Sequence, residues 1–299
     1  MSAARSAVPG PVLGMVLATL MWGATFVVVR DSLGALAPAT VVTTRFGVAA
    51  ALFAVVILAR RRPLGRATVV GGLVTGLATA GGYLFQAIGL MSTSAGSSAF
   101  LTAAGTLLAG IFAWPILGQR PSARLALGLG VALAGSALLT LRGGWTLGAG
   151  ELWTLVGAGI YALQIVGLAH WAPRGDALAI TGIQAAVASL CTLPFAGGAA
   201  GELAALDGAG WARIAYLVAC GSIAAPLLQV MAQRTMSAGR IGLLFALEPL
   251  FALGFALGFG GERFVARWWL GAALILSAVV MVEWREVRRV AARSRTTTA

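Results

Sequence analysis

The stretch SAGRIGLLFALEPL, from Ser237 to Leu250, decides how the whole chain is interpreted. A near copy, SAGSSAFLTAAGTL, runs from Ser94 to Leu107 and is identical at six of fourteen positions. Further pairs keep the same offset of 143 residues: Gln86 with Gln229, Gly128 with Gly271, and Gly118-Gln119-Arg120 with Gly261-Glu262-Arg263. The chain therefore contains an internal repeat, and its two copies differ where Glu248 stands in place of Gly105.

The composition indicates a membrane protein with many spans. Of the 299 residues, 59% are hydrophobic and only 10% are charged, and the mean hydropathy is +0.92; soluble domains carry roughly 25% charged residues. All 21 cationic side chains are arginines. They fall in short loops and at the C-terminus, where topology signals lie. A nucleic-acid-binding surface would gather them on one face of a folded domain, so that class of function is excluded.

Long apolar runs predict ten transmembrane helices, because about 20 apolar residues cross a ~30 Å hydrocarbon core. They are placed at 11–29, 36–59, 69–90, 97–117, 123–141, 149–170, 178–197, 211–233, 239–259 and 268–284. The first run is too long for a signal-peptide core, so we expect it to be a membrane helix. With the N-terminus in the cytoplasm, fifteen arginines lie inside and five outside. The positive-inside rule therefore predicts that both termini are cytoplasmic.

Helices 3–5 resemble helices 8–10, so the chain divides into two five-helix repeats. These cover residues 1–143 and 144–284. A basic cytoplasmic tail follows over 285–299, which we expect to act as a stop signal and to contact lipid headgroups. Because five is odd, the second repeat enters the membrane in the opposite orientation. Inverted repeats usually place a substrate site near the midplane, between the halves, and let it open to alternate sides. The pattern predicts an all-α transporter.

Longer stretches resemble a known family. They are LATLMWGATFVVVR (Leu17–Arg30), TLLAGIFAWPILGQRPSARLALGLGVALAGSALLTL (Thr106–Leu141) and LEPLFALGFALGFGGERFVARWWLGAALILSAVVMVE (Leu247–Glu283). They are similar to the drug/metabolite transporter superfamily, EamA-like branch, and within it to the YddG-type aromatic amino-acid exporters. The resemblance implies a bacterial inner-membrane protein shaped like a basket. It also implies a central cavity lined by helices 1, 3, 4, 6, 8 and 9, with helices 5 and 10 at the periphery.

Polar and aromatic side chains inside the spans are candidates for the cavity wall, because lipid cannot satisfy polar groups. The candidates are Trp22, Thr25, Phe26, Tyr83, Gln86, Phe100, Tyr161, Gln164, Gln229 and Phe245. Glutamine can bond both an amino group and a carboxylate, and tryptophan or tyrosine can stack on a ring or face an ammonium. This lining suits amino acids. For each member, ordinary helix packing is the alternative interpretation.

Two charged residues lie within the spans, where a charge costs at least ~2.5–3.5 kcal/mol at mid-bilayer. Glu248 precedes Pro249 about ten residues into helix 9. It is either a proton-coupling or cation-binding carboxylate, or a protonated or hydrogen-bonded carboxyl in a packed helix junction. Arg45 lies within helix 2 and can bind a substrate carboxylate, extend to the interface or brace two helices.

The residues leave several functions open. The leading one is export of amino acids, aromatic and other neutral ones, or of similar small metabolites, through a central cavity by alternating access. Efflux of cationic or aromatic drugs is the alternative, with Glu248 as counter-ion. A non-transporting scaffold is a further one. An intramembrane enzyme would need a nucleophile–base pair or a metal cluster, so we expect no enzyme, cofactor or metal site. The expected partners are a small-molecule substrate and the lipid bilayer, with no nucleic acid, and a monomer can be complete.

Overall fold

The computed structural model describes residues 10–140, 148–259 and 265–296, and within these ranges it consists of helices and turns without a strand. The α-helices, in chain order, are α1 Gly10–Ser32, α2 Pro38–Ala59, α3 Arg66–Leu90, α4 Ala95–Leu117, α5 Ala123–Thr140, α6 Ala149–Trp171, α7 Ala177–Thr192, α8 Ala199–Ala204, α9 Gly208–Tyr216, α10 Ala225–Gln233, α11 Ala238–Phe245, α12 Glu248–Phe259 and α13 Arg267–Thr296. Two 3-10 turns, Ala172–Arg174 and Leu193–Phe195, extend α6 and α7, and a π-helical segment, Leu217–Ala224, joins α9 to α10.

These helices have the length and composition of membrane spans. Across the described ranges, nine helical stretches are long and apolar enough to cross a bilayer, and Ala123–Leu139 within α5 is a shorter apolar helix. At 1.5 Å per residue, the 18 residues of α5 reach about 27 Å. The predicted all-helical, multi-pass membrane architecture is confirmed, while the count of ten spans and the side of the termini stay predictions.

The predicted helix over 239–259 is not continuous, because Pro249 interrupts it. Pro249 has no N–H, so the carbonyl four residues earlier, that of Phe245, loses its helical donor. The N–H groups of Ala246 and Leu247 bond only three residues back, at 3.1 and 3.0 Å. The helix therefore stops at Phe245 and starts again at Glu248, which becomes the first residue of α12.

Two further elements differ from the prediction. The short helix α8 lies in the connection between the seventh and eighth predicted spans, which we expected to be a loop. Helix α13 does not end at 284 but continues to Thr296. The segment from Trp284 to Thr296 contains neither glycine nor proline, so nothing in its backbone chemistry stops the helix.

Gly118 ends α4 in the left-handed region, with φ of 68°. Its N–H donates to the Trp114 carbonyl at 2.9 Å, and the Gln119 N–H donates to the Ala113 carbonyl at 3.1 Å. Glycine adopts this conformation without steric cost, which is why it commonly follows a helix. The matching turn of the second repeat, Gly261-Glu262-Arg263, lies outside the described residues.

The two halves pack on each other reciprocally. Helix α3 packs on α6, and its counterpart in the second half, α10 with the π segment, packs on α1. In the same way α4 packs on α6, and its counterpart α12 packs on α1. Helix α2 lies against α7, and α5 lies against α13. The largest buried apolar cluster includes Met15, Ile165 and Leu244 and so joins helices of both halves. Exchanging the two halves turns each contact into another, as expected for similar halves about a pseudo-twofold axis.

Glycines bring α5 and α13 into close backbone contact. A Cβ on Gly135 would lie 2.7 Å from the Gly271 carbonyl oxygen, and a Cβ on Gly271 would lie 2.7 Å from that of Gly135. The repeat offset maps this contact onto Ala278 and Gly128, where a Cβ on Gly128 would lie 3.7 Å from the Ala278 carbonyl oxygen. Small residues thus allow close helix approach at matching places in both halves.

Replacing Gly135 by alanine should therefore loosen the α5–α13 contact. We expect Gly135→Ala to lower the free energy of unfolding by about 1–3 kcal/mol, since the added methyl meets backbone that cannot rotate away. Gly130→Ala on the same helix is the control, because a Cβ there meets nothing within 4 Å. Thermal unfolding in detergent measures both, and equal melting temperatures would contradict the close contact.

Candidate functional site

A cavity lies between the helices of the two halves. Its volume is about 40 Å³, counted as the space open to the centres of water molecules. One water needs roughly 10–15 Å³ of such space, so in this conformation the cavity admits a few waters. Its walls come from α1–α4, α6, α7, the π segment and α10–α12. The family resemblance led us to expect helices 1, 3, 4, 6, 8 and 9 around the cavity. The structure adds α2 and α7, which pack together and form part of the cavity wall.

Most of the predicted site residues meet at this cavity. Its lining includes Trp22, Thr25, Phe26, Tyr83, Gln86, Tyr161, Gln164, Gln229, Phe245 and Glu248. Phe100 does not line it, although it is buried. Thr102 on the same helix does, and residues two apart on an α-helix point about 200° away from each other. Arg45 is also absent from the lining and lies directly behind it.

Two groups of aromatic rings form part of the wall. Trp22 and Phe245 are stacked, with centroids 5.3 Å apart and planes at 18°. Tyr83 meets Tyr161 edge to face at 5.2 Å, and Phe46 meets Tyr83 at 4.8 Å. Trp22 and Tyr161 occupy corresponding places, each the thirteenth residue of its helix counted from Gly10 and from Ala149.

The π segment positions Trp22. In this segment N–H groups bond five residues back, as Ala225 does to the Cys220 carbonyl. In the same register the Gly221 carbonyl faces Pro226, which has no N–H to donate. That carbonyl instead accepts the Trp22 Nε1 hydrogen bond at 3.2 Å. Pro226 therefore frees a backbone acceptor that holds the indole against the cavity.

Glutamine side chains link the helices around the cavity. Gln229 Nε2 donates to Gln164 Oε1 and to Gln233 Oε1, both at 3.1 Å, and Gln233 Nε2 donates to the Ile165 carbonyl at 2.7 Å. A second group lies on α3 and α4, where Gln86 Nε2 donates to Thr102 Oγ1 at 3.0 Å.

Tyr161 on α6 connects to the pair formed by Gln86 and Thr102, since its hydroxyl donates to Gln86 Oε1 at 3.4 Å. The side chains are therefore held in place while their remaining donor and acceptor capacity faces the cavity.

Arg45 is buried behind the wall, at 1% exposure. Its Nε donates to Ser222 Oγ at 2.7 Å, and its guanidinium carbon lies 4.9 Å from the centre of the Tyr83 ring. Ser222 and Tyr83 both line the cavity. A Cβ on Gly221 would lie 2.3 Å from Arg45 Nη2, so this glycine leaves room for the guanidinium. Among the described residues Nη2 has no hydrogen-bond partner.

Glu248 lies in the wall at the break between α11 and α12. It is 3% exposed, and its Oε2 has no hydrogen-bond partner in the described part of the chain. As the first residue of α12 it sits at a helix N-terminus, where free N–H groups and the helix dipole favour negative charge. Its backbone carbonyl is close to α1, since a Cβ on Gly23 would lie 3.2 Å from it.

Half of the lining was not predicted from the sequence. It consists of Phe46, Thr79, Thr102, Thr106, Ile165, Thr181, Gln184, Ala185, Ser222 and Pro226. Gln184 carries the signal that selected the other glutamines, an amide inside an apolar span. The threonines carry little signal, because a hydroxyl can bond its own helix, as Thr25 does to the Trp22 carbonyl at 2.7 Å. No group of three or more histidine, cysteine or acidic side chains suited to a metal is present among the described residues.

Known proteins place these features in a family. An uncharacterized transporter of Archaeoglobus fulgidus is 25% identical over 275 residues, which cover 91% of this chain and 85% of that protein. A solved crystal structure has a TM-score of 0.71 at 21% identity, over 96% of this chain and 99% of the other, which shows a shared fold. The EamA-like transporter family matches twice, over residues 10–141 and 148–284. The chain is a multi-pass membrane transporter that belongs to the EamA-like transporter family.

Proposed function

We propose that this transporter exports amino acids, aromatic and other neutral ones, or similar small metabolites. The observation that carries the proposal is the pairing of stacked aromatic rings with amide groups around one buried cavity. Aromatic faces can stack on a ring or face an ammonium. Amide groups offer acceptors to an ammonium and donors to a carboxylate.

Alternating access supplies the mechanism. Both halves contribute walls, since Trp22 and Tyr83 of the first half contact Phe245 and Tyr161 of the second. A motion of one half against the other therefore changes the size and access of the site, as in inverted repeats. The space that water can reach is too small for an amino acid, so the conformation described is contracted and must widen for loading.

The setting of this function is part of the proposal. The arginine bias supports cytoplasmic termini and an inverted second half. The resemblance to YddG-type aromatic amino-acid exporters supports a bacterial inner-membrane location. Both halves close one cavity within a single chain, which is compatible with a functional monomer.

Flux measurements with purified protein in proteoliposomes test the proposal. We expect efflux of labelled phenylalanine and other neutral amino acids above that of protein-free liposomes, measured with and without a pH gradient. A dependence on the gradient would identify proton coupling. A panel in which no amino acid or related metabolite moves would refute the proposed substrate class.

Removing the cavity aromatics should lower that flux. Trp22→Ala loses both the stack on Phe245 and the bond to the Gly221 carbonyl, and an aromatic contact is worth about 0.5–1.5 kcal/mol beyond its burial. We expect a roughly 2- to 13-fold loss of flux from the lost stack, and more with the lost hydrogen bond. Trp211→Ala is the matched control, because Trp211 is half exposed and outside the lining. Equal flux in both variants, at equal expression, would remove Trp22 from the path.

Efflux of cationic drugs is the second candidate, favoured by Glu248. A buried carboxyl beside aromatic rings can bind a cation through charge and ring faces. Counterflow of labelled phenylalanine and, separately, of labelled methyl viologen, each against the same unlabelled compound inside the liposomes, separates the two functions. We expect uptake of labelled phenylalanine. Uptake of labelled methyl viologen without uptake of labelled phenylalanine would favour the drug function.

A further inference from the structure

Two ionisable side chains of opposite type, Arg45 and Glu248, are buried beside the same cavity without partnering each other. Arg45 Nη2 and Glu248 Oε2 both lack a hydrogen-bond partner within the described residues. No ion pair within 4.0 Å joins the two side chains there. A buried charge is costly unless it is paired, so a direct salt bridge would be the simplest arrangement. Its absence points to a ligand that supplies the missing partners.

The surroundings of each charge define what that ligand presents. Arg45 borders the wall at Ser222 and Tyr83, and an arginine fork suits a carboxylate. Glu248 lies three residues after Phe245, which stacks on Trp22. Residues three apart share a helix side. The turn between α11 and α12 loosens this relation, but both residues line the cavity. A carboxylate next to ring faces suits an ammonium.

We propose that Arg45 and Glu248 are the two poles of a subsite for the zwitterion of an α-amino acid. The inference rests on the proposed function and assigns its substrate an orientation: carboxylate toward Arg45 and Ser222, ammonium toward Glu248. In the proposed complex the zwitterion forms one charged hydrogen bond, of about 3 Å, at each end. The carboxylate reaches Arg45 when the contracted cavity widens past Tyr83.

This subsite disfavours ligands with one charge. A cation bound at Glu248 leaves Arg45 without a partner and meets its repulsion. An anion bound at Arg45 leaves Glu248 without a partner. Selectivity for zwitterions then comes from the cost of the unpaired pole rather than from cavity shape.

Competition against labelled phenylalanine counterflow, with the full-length protein in proteoliposomes, tests the subsite. Three competitors share one side chain: phenylalanine, phenethylamine with only the ammonium, and 3-phenylpropionate with only the carboxylate. In the unmodified protein we expect phenylalanine to compete roughly 10- to 100-fold better than either analogue, the factor that one charged hydrogen bond contributes. Glu248→Gln should abolish the advantage over 3-phenylpropionate, and Arg45→Gln the advantage over phenethylamine.

Glu283→Gln is the matched control, because Glu283 is a buried carboxylate that pairs with Arg240 and does not line the cavity. It should lower stability and leave the competitor ranking unchanged. Ligand-induced shifts in melting temperature give the same ranking for variants too slow for counterflow. If Arg45→Gln does not fold, the ranking in the unmodified protein and in Glu248→Gln decides.

Two results would overturn the inference while amino-acid transport stands. One is an unchanged ranking in Glu248→Gln and Arg45→Gln. The other is a Glu248→Gln protein that loses only the dependence of flux on a pH gradient, which would make Glu248 a proton carrier. Absence of any amino-acid flux in the unmodified protein would instead refute the proposed function itself.

Discussion

Every polar group inside the bilayer has to find its partner within the protein, and the rest of this structure follows from that constraint. The backbone meets it by forming helices. Side chains meet it locally, as when the Thr19 hydroxyl donates to the Met15 carbonyl of its own helix at 3.0 Å. They also meet it across helices, as when Gln184 Nε2 donates to Thr75 Oγ1 at 2.9 Å. Arg45 and Glu248, which keep unpartnered atoms, both border the cavity.

The two halves share a frame but not their chemistry. At the repeat offset, Pro226 stands where the first half has Tyr83, and Glu248 stands where it has Gly105. A Cβ on Gly105 would lie 2.2 Å from the Ala158 Cβ, so the first half has no room for a side chain there. Two prolines of the second half interrupt helical hydrogen bonding: Pro226 leaves the Gly221 carbonyl free for Trp22, and Pro249 makes Glu248 the start of a new helix. The two halves therefore contribute different side chains at matching positions of the cavity wall.

The sequence predicted the spans well because their signal, a long apolar run, is independent of how helices rotate. The prediction of the cavity residues was less complete, because it depends on how each helix is rotated about its axis. Helices that are apolar all round carry no moment that tells which side faces the protein. Rare residue types such as tryptophan and most of the glutamines were therefore selected, whereas Phe46, Gln184 and every threonine of the lining except Thr25 were missed. Phe100 was selected by type, and its position on α4 turns it away from the cavity.

The sequence by itself determined the membrane setting, the internal repeat, the family resemblance and the presence of two intramembrane charges, because composition and offset depend on residue order alone. Only the tertiary structure decided that helix 9 breaks at Glu248, that Pro226 leaves the Gly221 carbonyl to Trp22, and that Arg45 lies behind the wall. These outcomes depend on which backbone groups lose a donor and on what stands opposite them across a helix interface. Residue order does not contain that distance information.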